Sequence, residues 1–207
     1  IYSSALPGTF VFDDFDLQET ASTVRVGDWR SLLQSSRPAL MLSYVVNQRM
    51  SGFDPFAFHL TNILLHVLNA ILLWRFLLAL FRTRKLDQMV PVQLQTWISF
   101  AVPLLFLTSP LQTESVAYVS GRSELLAAGF FVAALWAFVA ASPEAASWRL
   151  ALLITFLFAG AAGTKQDKIT LPAIVLAIDY LLLSGCDWRR LQRNWRLYGL
   201  FTVMGAA

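Results

Sequence analysis

A succession of apolar runs, separated by short charged segments, restricts this chain to folds that are solvated by lipid. Bilayer hydrocarbon is about 30 Å thick, and roughly 20 apolar helical residues cross it. Runs that approach this length are Phe56 to Phe81, Thr96 to Thr108, Leu125 to Ala141, Trp148 to Gly163 and Ile169 to Ser184, with a sixth opening near Leu197. The Thr96 run is short unless it borrows from its flanks. Composition agrees: 57% of residues are hydrophobic and 14% charged, whereas a soluble domain carries charge on about a quarter of its residues. These features predict an all-α integral membrane protein, a multi-span helical bundle over residues 56–207.

The charges between the runs set a topology. Arg82, Arg84, Lys85, Arg149, Arg189, Arg190, Arg193 and Arg196 fall in loops on one side, with Asp87, Glu144 and Asp187 as the only acids there. The opposite side mixes Arg25, Arg30, Arg37, Arg49, Arg122, Lys165 and Lys168 with most of the acids. Lys and Arg in short loops favour the cytoplasm, so the mixed side is expected to be extracytoplasmic. The net charge of +3 therefore reflects topology and gives no reason to invoke nucleic acid. Residues 1–55 read as a long outer loop in which Val26 to Gln34 and Ala39 to Gln48 form surface helices, separated by Arg37-Pro38. The opening at Ile1 and the apolar run to Ala207 lead us to expect one span before this stretch and more after it. The lone Cys186 excludes an internal disulfide and a thiolate metal cluster.

Three charged clusters come to the outer rim: Asp13-Asp14, then Glu114 with Arg122 and Glu124, then Lys165 to Lys168. Polar groups gathered at one rim of an otherwise apolar protein mark a place for chemistry or for a polar ligand. An Arg offers phosphate a planar fork and a Lys a point charge, so Arg122 and Lys165 are candidate anion binders; alternatively the acids and bases only pair with one another. Asp13 and Asp14 are either general bases where a span meets water or solvated loop residues. His59, Asn62, His66 and Asn69 share one helix face, either as hydrogen-bond glue between spans or as the lining of a headgroup pocket. His59 and His66 lie too far apart to share a zinc ion, and nothing supplies the missing ligands. Arg75 and Asp179, buried in their spans where an unpaired charge costs roughly 2.5 to 3.5 kcal/mol, are expected to pair or, for Arg75, to snorkel.

Several ordered blocks resemble the transmembrane O-mannosyltransferases that carry tetratricopeptide repeats. They are Phe10 to Asp14, Arg37-Pro38, His59 to His66, Ser109 to Val116, Ser120 to Leu126, and Lys165 through Leu171-Pro172 to Asp179. The resemblance implies a GT-C type membrane glycosyltransferase acting in a bacterial inner membrane or the endoplasmic reticulum. It would take a sugar, mannose first, from a polyprenyl-phosphate carrier on the outer or lumenal face, without a metal or other cofactor. It implies Asp13, with Asp14 beside it, as the base that deprotonates a protein Ser or Thr or another hydroxyl acceptor. It also implies Arg122 and Lys165 on the departing phosphate, and Glu114, His59 and Arg37 as orienting groups. Gln166 departs from the family, which often has Glu after the lysine. The competing reading is a non-catalytic structural or lipid-binding subunit of a larger membrane complex. A transporter fits less well, because the charges gather at a rim instead of along a path.

Overall fold

The computed structural model describes residues 2–10, 14, 35–141, 146–165 and 170–205. Every regular element among them is helical. Helix α1, Pro38–Ser51, starts where Pro38 supplies a preset φ at its first turn and stops at Gly52, whose φ of +64° suits a residue without Cβ. Its buried residues Leu40, Met41, Tyr44 and Val45 recur at the helical spacing of one face. Asp54 then caps α2, Pro55–Phe81, by accepting a bond from the Phe56 N–H at 3.1 Å. At 27 residues α2 is about 40 Å long, ample for a bilayer.

A short helix α3, Arg84–Met89, leads to α4, Val92–Thr108, which carries Pro103 in its interior. Ser109 and Pro110 break the chain into a 3-10 turn, Pro110–Gln112, and a short α5, Thr113–Ala117. Together they turn away from α4 by 50°, as a broken span or a re-entrant loop does. Helix α6 covers Arg122–Ala140 and α7 covers Trp148–Ala162, with the Ser147 hydroxyl capping the Leu150 N–H. Helix α8, Leu171–Ile178, continues as a π-helical turn over Asp179–Leu183. A short α9, Trp188–Leu191, and α10, Trp195–Gly205, complete the described elements.

By length and composition α2 and α6 suffice to cross a membrane, and the bent α4–α5 pair makes a third candidate. Trp148–Ala162 and Leu171–Leu183 are apolar but shorter than a full crossing. The expected run at Leu125 begins earlier, at Arg122, so Arg122 and Glu124 occupy the first turn of a helix while Glu114 lies in α5. A helix, α1, covers the stretch Ala39 to Gln48, while Val26 to Gln34 lies outside the described residues.

Helix α2 lies between α4 and α6, and α6 packs in turn on α7. The main core joins Leu135, Phe138 and Val139 of α6 to Ile154 and Phe158 of α7, Leu171 and Val175 of α8, and Leu197 and Phe201 of α10. Because lipid is as apolar as these side chains, their association depends on van der Waals fit. Gly160 serves that fit, since a Cβ there would meet the Phe130 ring at 3.0 Å. The outward faces of α2 and α4 expose Leu64, Leu68, Phe100 and Leu105.

The expected pairing of Arg75 with Asp179 does not occur. The Asp179 carboxylate accepts bonds from Ser184 Oγ at 2.9 Å, Asn194 Nδ2 at 2.7 Å and the Tyr198 hydroxyl at 2.6 Å. Three neutral donors close to it in sequence satisfy the carboxylate, and they tie the π turn to α10. Arg75 instead lies over the Trp136 ring at 5.2 Å, a cation–π contact across α2 and α6. Truncating Phe138 to Ala is expected to cost about 3 kcal/mol by opening a cavity between α6 and α7. Thermal unfolding in detergent will read this as a lowered midpoint, and an unchanged midpoint would contradict the packing described.

Candidate functional site

At the end of the bundle formed by the N-termini of α2 and α6, the backbone reverses through the 3-10 turn, α5 and the Tyr118–Gly121 loop. A cavity of about 620 Å³ opens there. Arg37, Glu114, Ser120, Ser123 and Glu124 line its polar mouth, and Asn69, Phe106, Leu125 and Ala128 line its floor. The mouth thus offers a guanidinium, two carboxylates and hydroxyls, while the floor is nearly apolar. Lys165 forms an ion pair with Glu124 at the rim. Glu114 is exposed on the wall and pairs with no cation among the described residues.

Arg122 does not line this cavity. It is fully buried behind the wall, where four hydrogen bonds engage its guanidinium. Nε donates to Asn62 Oδ1 at 2.9 Å, Nη1 to the Ser43 carbonyl at 3.4 Å, and Nη2 to Asn47 Oδ1 at 2.8 Å and the Phe58 carbonyl at 3.1 Å. The rings of Tyr44 and Phe58 lie 4.7 and 5.2 Å from its Cζ. Its positive charge is therefore met by amide dipoles and ring quadrupoles from α1 and α2. Four of the five guanidinium N–H groups of Arg122 are thus directed to protein acceptors, and it does not share the cavity lining with Lys165's partner Glu124. Arg37 is the arginine that faces the cavity.

Asp14 lies on the same hidden side. It is fully buried, and its Oδ1 accepts the Ser120 N–H at 2.8 Å, which pins the loop forming the cavity mouth. Asp13, the leading expected base, lies outside the described residues. His59 is buried beside the Ala117 backbone, and its Nε2 closely faces Gly8. The rest of the polar stripe holds backbone. Asn62 Nδ2 donates to the Tyr118 carbonyl at 2.7 Å, His66 Nε2 lies 3.3 Å from the Leu107 carbonyl, and Asn69 Nδ2 donates to the Leu125 carbonyl at 2.8 Å. Asn69 Oδ1 has no hydrogen-bond partner among the described residues and packs against Gly129 of α6, where a Cβ would meet it at 2.7 Å. No group of three or more metal-ligating side chains forms among the described residues.

Sequence reasoning marked Asn62 and Glu124 but gave no part to Asn47, Tyr44 or Ser120. Asn47 carries the only available signal, a polar residue on the apolar face of α1 that also buries Tyr44.

The chain is 31% identical over 90% of its length to a mouse protein named protein O-mannosyl-transferase TMTC4, and 31% identical over 73% to human protein O-mannosyl-transferase TMTC1. It is 30% identical over 92% of its length to mouse protein O-mannosyl-transferase TMTC2. The chain belongs to the same family as these proteins. It spans 28%, 17% and 24% of their respective lengths. No family model and no solved structure matches it.

Replacing Arg122 by Met should lower stability by about 3 kcal/mol or more, since it strands the buried acceptors of Asn47, Asn62 and Phe58. Chemical or thermal unfolding checks this, and a stable variant would remove the hub described. Tyr44 supplies a pH test. Burial, helped by the nearby Asp14 charge and opposed by Arg122 and Arg37, raises its pKa above the ordinary 10.0, and its hydroxyl donates to the Val119 carbonyl at 2.8 Å. The folded state thus favours the neutral phenol, so this stabilisation is present below pH 10.0 and is lost as pH rises above it. The stability advantage of wild type over Tyr44→Phe should accordingly shrink in alkaline buffer; a constant difference would contradict the burial.

Proposed function

We propose that this protein is a membrane glycosyltransferase of GT-C type that moves mannose from a polyprenyl-phosphate carrier to a hydroxyl, most naturally of a protein Ser or Thr. The observation that carries the reading is the cavity at the end of α2 and α6, where Arg37, Glu114 and the Glu124–Lys165 pair meet an apolar floor. A lipid-linked sugar phosphate has the same division into anionic, polyhydroxylic and apolar parts. The names of the relatives point to mannose and to a protein acceptor. The positive charge of the opposite loops favours an extracytoplasmic or lumenal position for the cavity.

In the reaction a carboxylate removes the proton from the acceptor hydroxyl, and its oxygen attacks the anomeric carbon. The bond from that carbon to the carrier phosphate breaks, inverting the anomeric centre and releasing polyprenyl phosphate as the anion. Asp13 is the base that family resemblance favours, with Asp14 positioning the mouth loop through Ser120. Arg37 is better placed than Arg122 to neutralise the phosphate, with Lys165 assisting from the rim. Glu114, exposed on the cavity wall, is suited to sugar hydroxyls, which donate to such acceptors.

Membranes containing the full-length protein, supplied with labelled polyprenyl-phosphate mannose, test this directly. Asp13→Asn should reduce transfer by roughly a hundredfold or more, and Arg37→Gln should reduce it while Arg84→Gln does not. Transfer by neither wild type nor variants, across several sugar donors, would favour a non-catalytic membrane subunit.

A further inference from the structure

A second set of cavities lies at the far end of α2, away from the site above. Between α2 and α4 a cleft of about 240 Å³ is walled by Val67, Ile71, Trp74, Phe100 and Leu104, with Ser99 as its one polar neighbour. Trp74, Ser99 and Phe100 also line an adjoining cavity of about 300 Å³, which reaches Arg82, Gln95 and Thr96. On α2 the residues concerned run from Val67 through Trp74 and Leu78 to Arg82, the residue that caps its C-terminus. On α4 they run from Leu107 through Phe100 to Gln95. The two cavities therefore follow one groove along the helix pair. Arg82 borders a third cavity of about 380 Å³ as well, which contains Arg75 two turns away on the same face of α2. Among the described residues neither arginine has a carboxylate partner.

Ser99 is the second unusual feature. It is 2% exposed, and its hydroxyl has no hydrogen-bond partner among the described residues. Pro103 stands four residues later and lacks the N–H that would otherwise close on the Ser99 carbonyl. An unpaired hydroxyl in an apolar interior is unfavourable, and a bound acceptor would relieve it.

We propose that the groove between α2 and α4 holds one anionic glycerophospholipid, with its phosphate on Arg82, an ester carbonyl on the Ser99 hydroxyl and an acyl chain in the apolar cleft. The order of chemistry along the groove matches the order within such a lipid: a cation at the helix end, a single donor deeper in, then hydrocarbon alone. A guanidinium offers parallel donors to phosphate oxygens, and Arg75 adds positive potential nearby. Basic pockets between membrane helices recognise lipid headgroups in this way. The assignment does not depend on the transfer activity proposed above.

The test is native mass spectrometry of the full-length protein released from nanodiscs of phosphatidylcholine mixed with phosphatidylglycerol. Wild type should retain phosphatidylglycerol in preference to phosphatidylcholine. Arg82→Gln should weaken that retention roughly tenfold, the value of one charge-assisted contact. Arg84→Gln, an exposed arginine on α3 that lines none of these cavities, should leave it unchanged, and Leu104→Trp, which fills the cleft, should reduce it. Equal retention of the two lipids by wild type would overturn the proposal. So would an Arg82→Gln variant that keeps phosphatidylglycerol as well as Arg84→Gln does.

Discussion

The buried guanidinium of Arg122 organises one end of this molecule. It stands at the first turn of α6 and collects acceptors from Ser43 and Asn47 on α1 and from Phe58 and Asn62 on α2. A charge so enclosed is tolerated only when polar groups surround it, so each of these segments is constrained to bring its acceptor to the same point. The cluster of Leu40, Tyr44, Phe58 and Val119 seals this arrangement from water and lipid. The cavity wall is in effect the outer surface of the hub, because Tyr118 and Ser120 are held by Asn62 and Asp14 on its inner side.

Helix α2 transmits that order along the membrane. From Asn62 onward its polar stripe meets the backbone carbonyls of Tyr118 before α6, Leu107 in α4 and Leu125 in the first turn of α6. Such bonds suit a lipid-solvated bundle, where apolar attraction between helices is weak and an unsatisfied carbonyl is costly. Past Asn69 the helix has no further amide or imidazole, and Arg75 and Arg82 face cavities instead of protein acceptors. One helix thus joins a rigid, hydrogen-bonded end to an end where space and positive charge remain.

The main apolar helices were legible because their length and hydropathy follow from the bilayer itself. Helix α2 occurs within one residue of its expected bounds. Pairings were harder to read. Arg75 and Asp179 are compatible in charge, yet Asp179 is satisfied by Ser184, Asn194 and Tyr198, which lie closer along the chain. Arg122 and Lys165 looked alike as cations near one rim. The difference between them is one of depth: Arg122 faces inward from its helix with acceptors waiting, and Lys165 stays half exposed beside Glu124.

The sequence alone determined that this chain is helical, apolar and related in its ordered motifs to protein O-mannosyl-transferases, because hydrophobic length and motif order are properties of the chain taken residue by residue. Which charge faces the cavity and which supports it was decided only by tertiary structure. Desolvation separates the two positions: the Arg122 guanidinium is buried against acceptors of Asn47, Asn62 and Phe58 while Arg37 lines the cavity, and no residue spacing reveals which arginine will meet those acceptors.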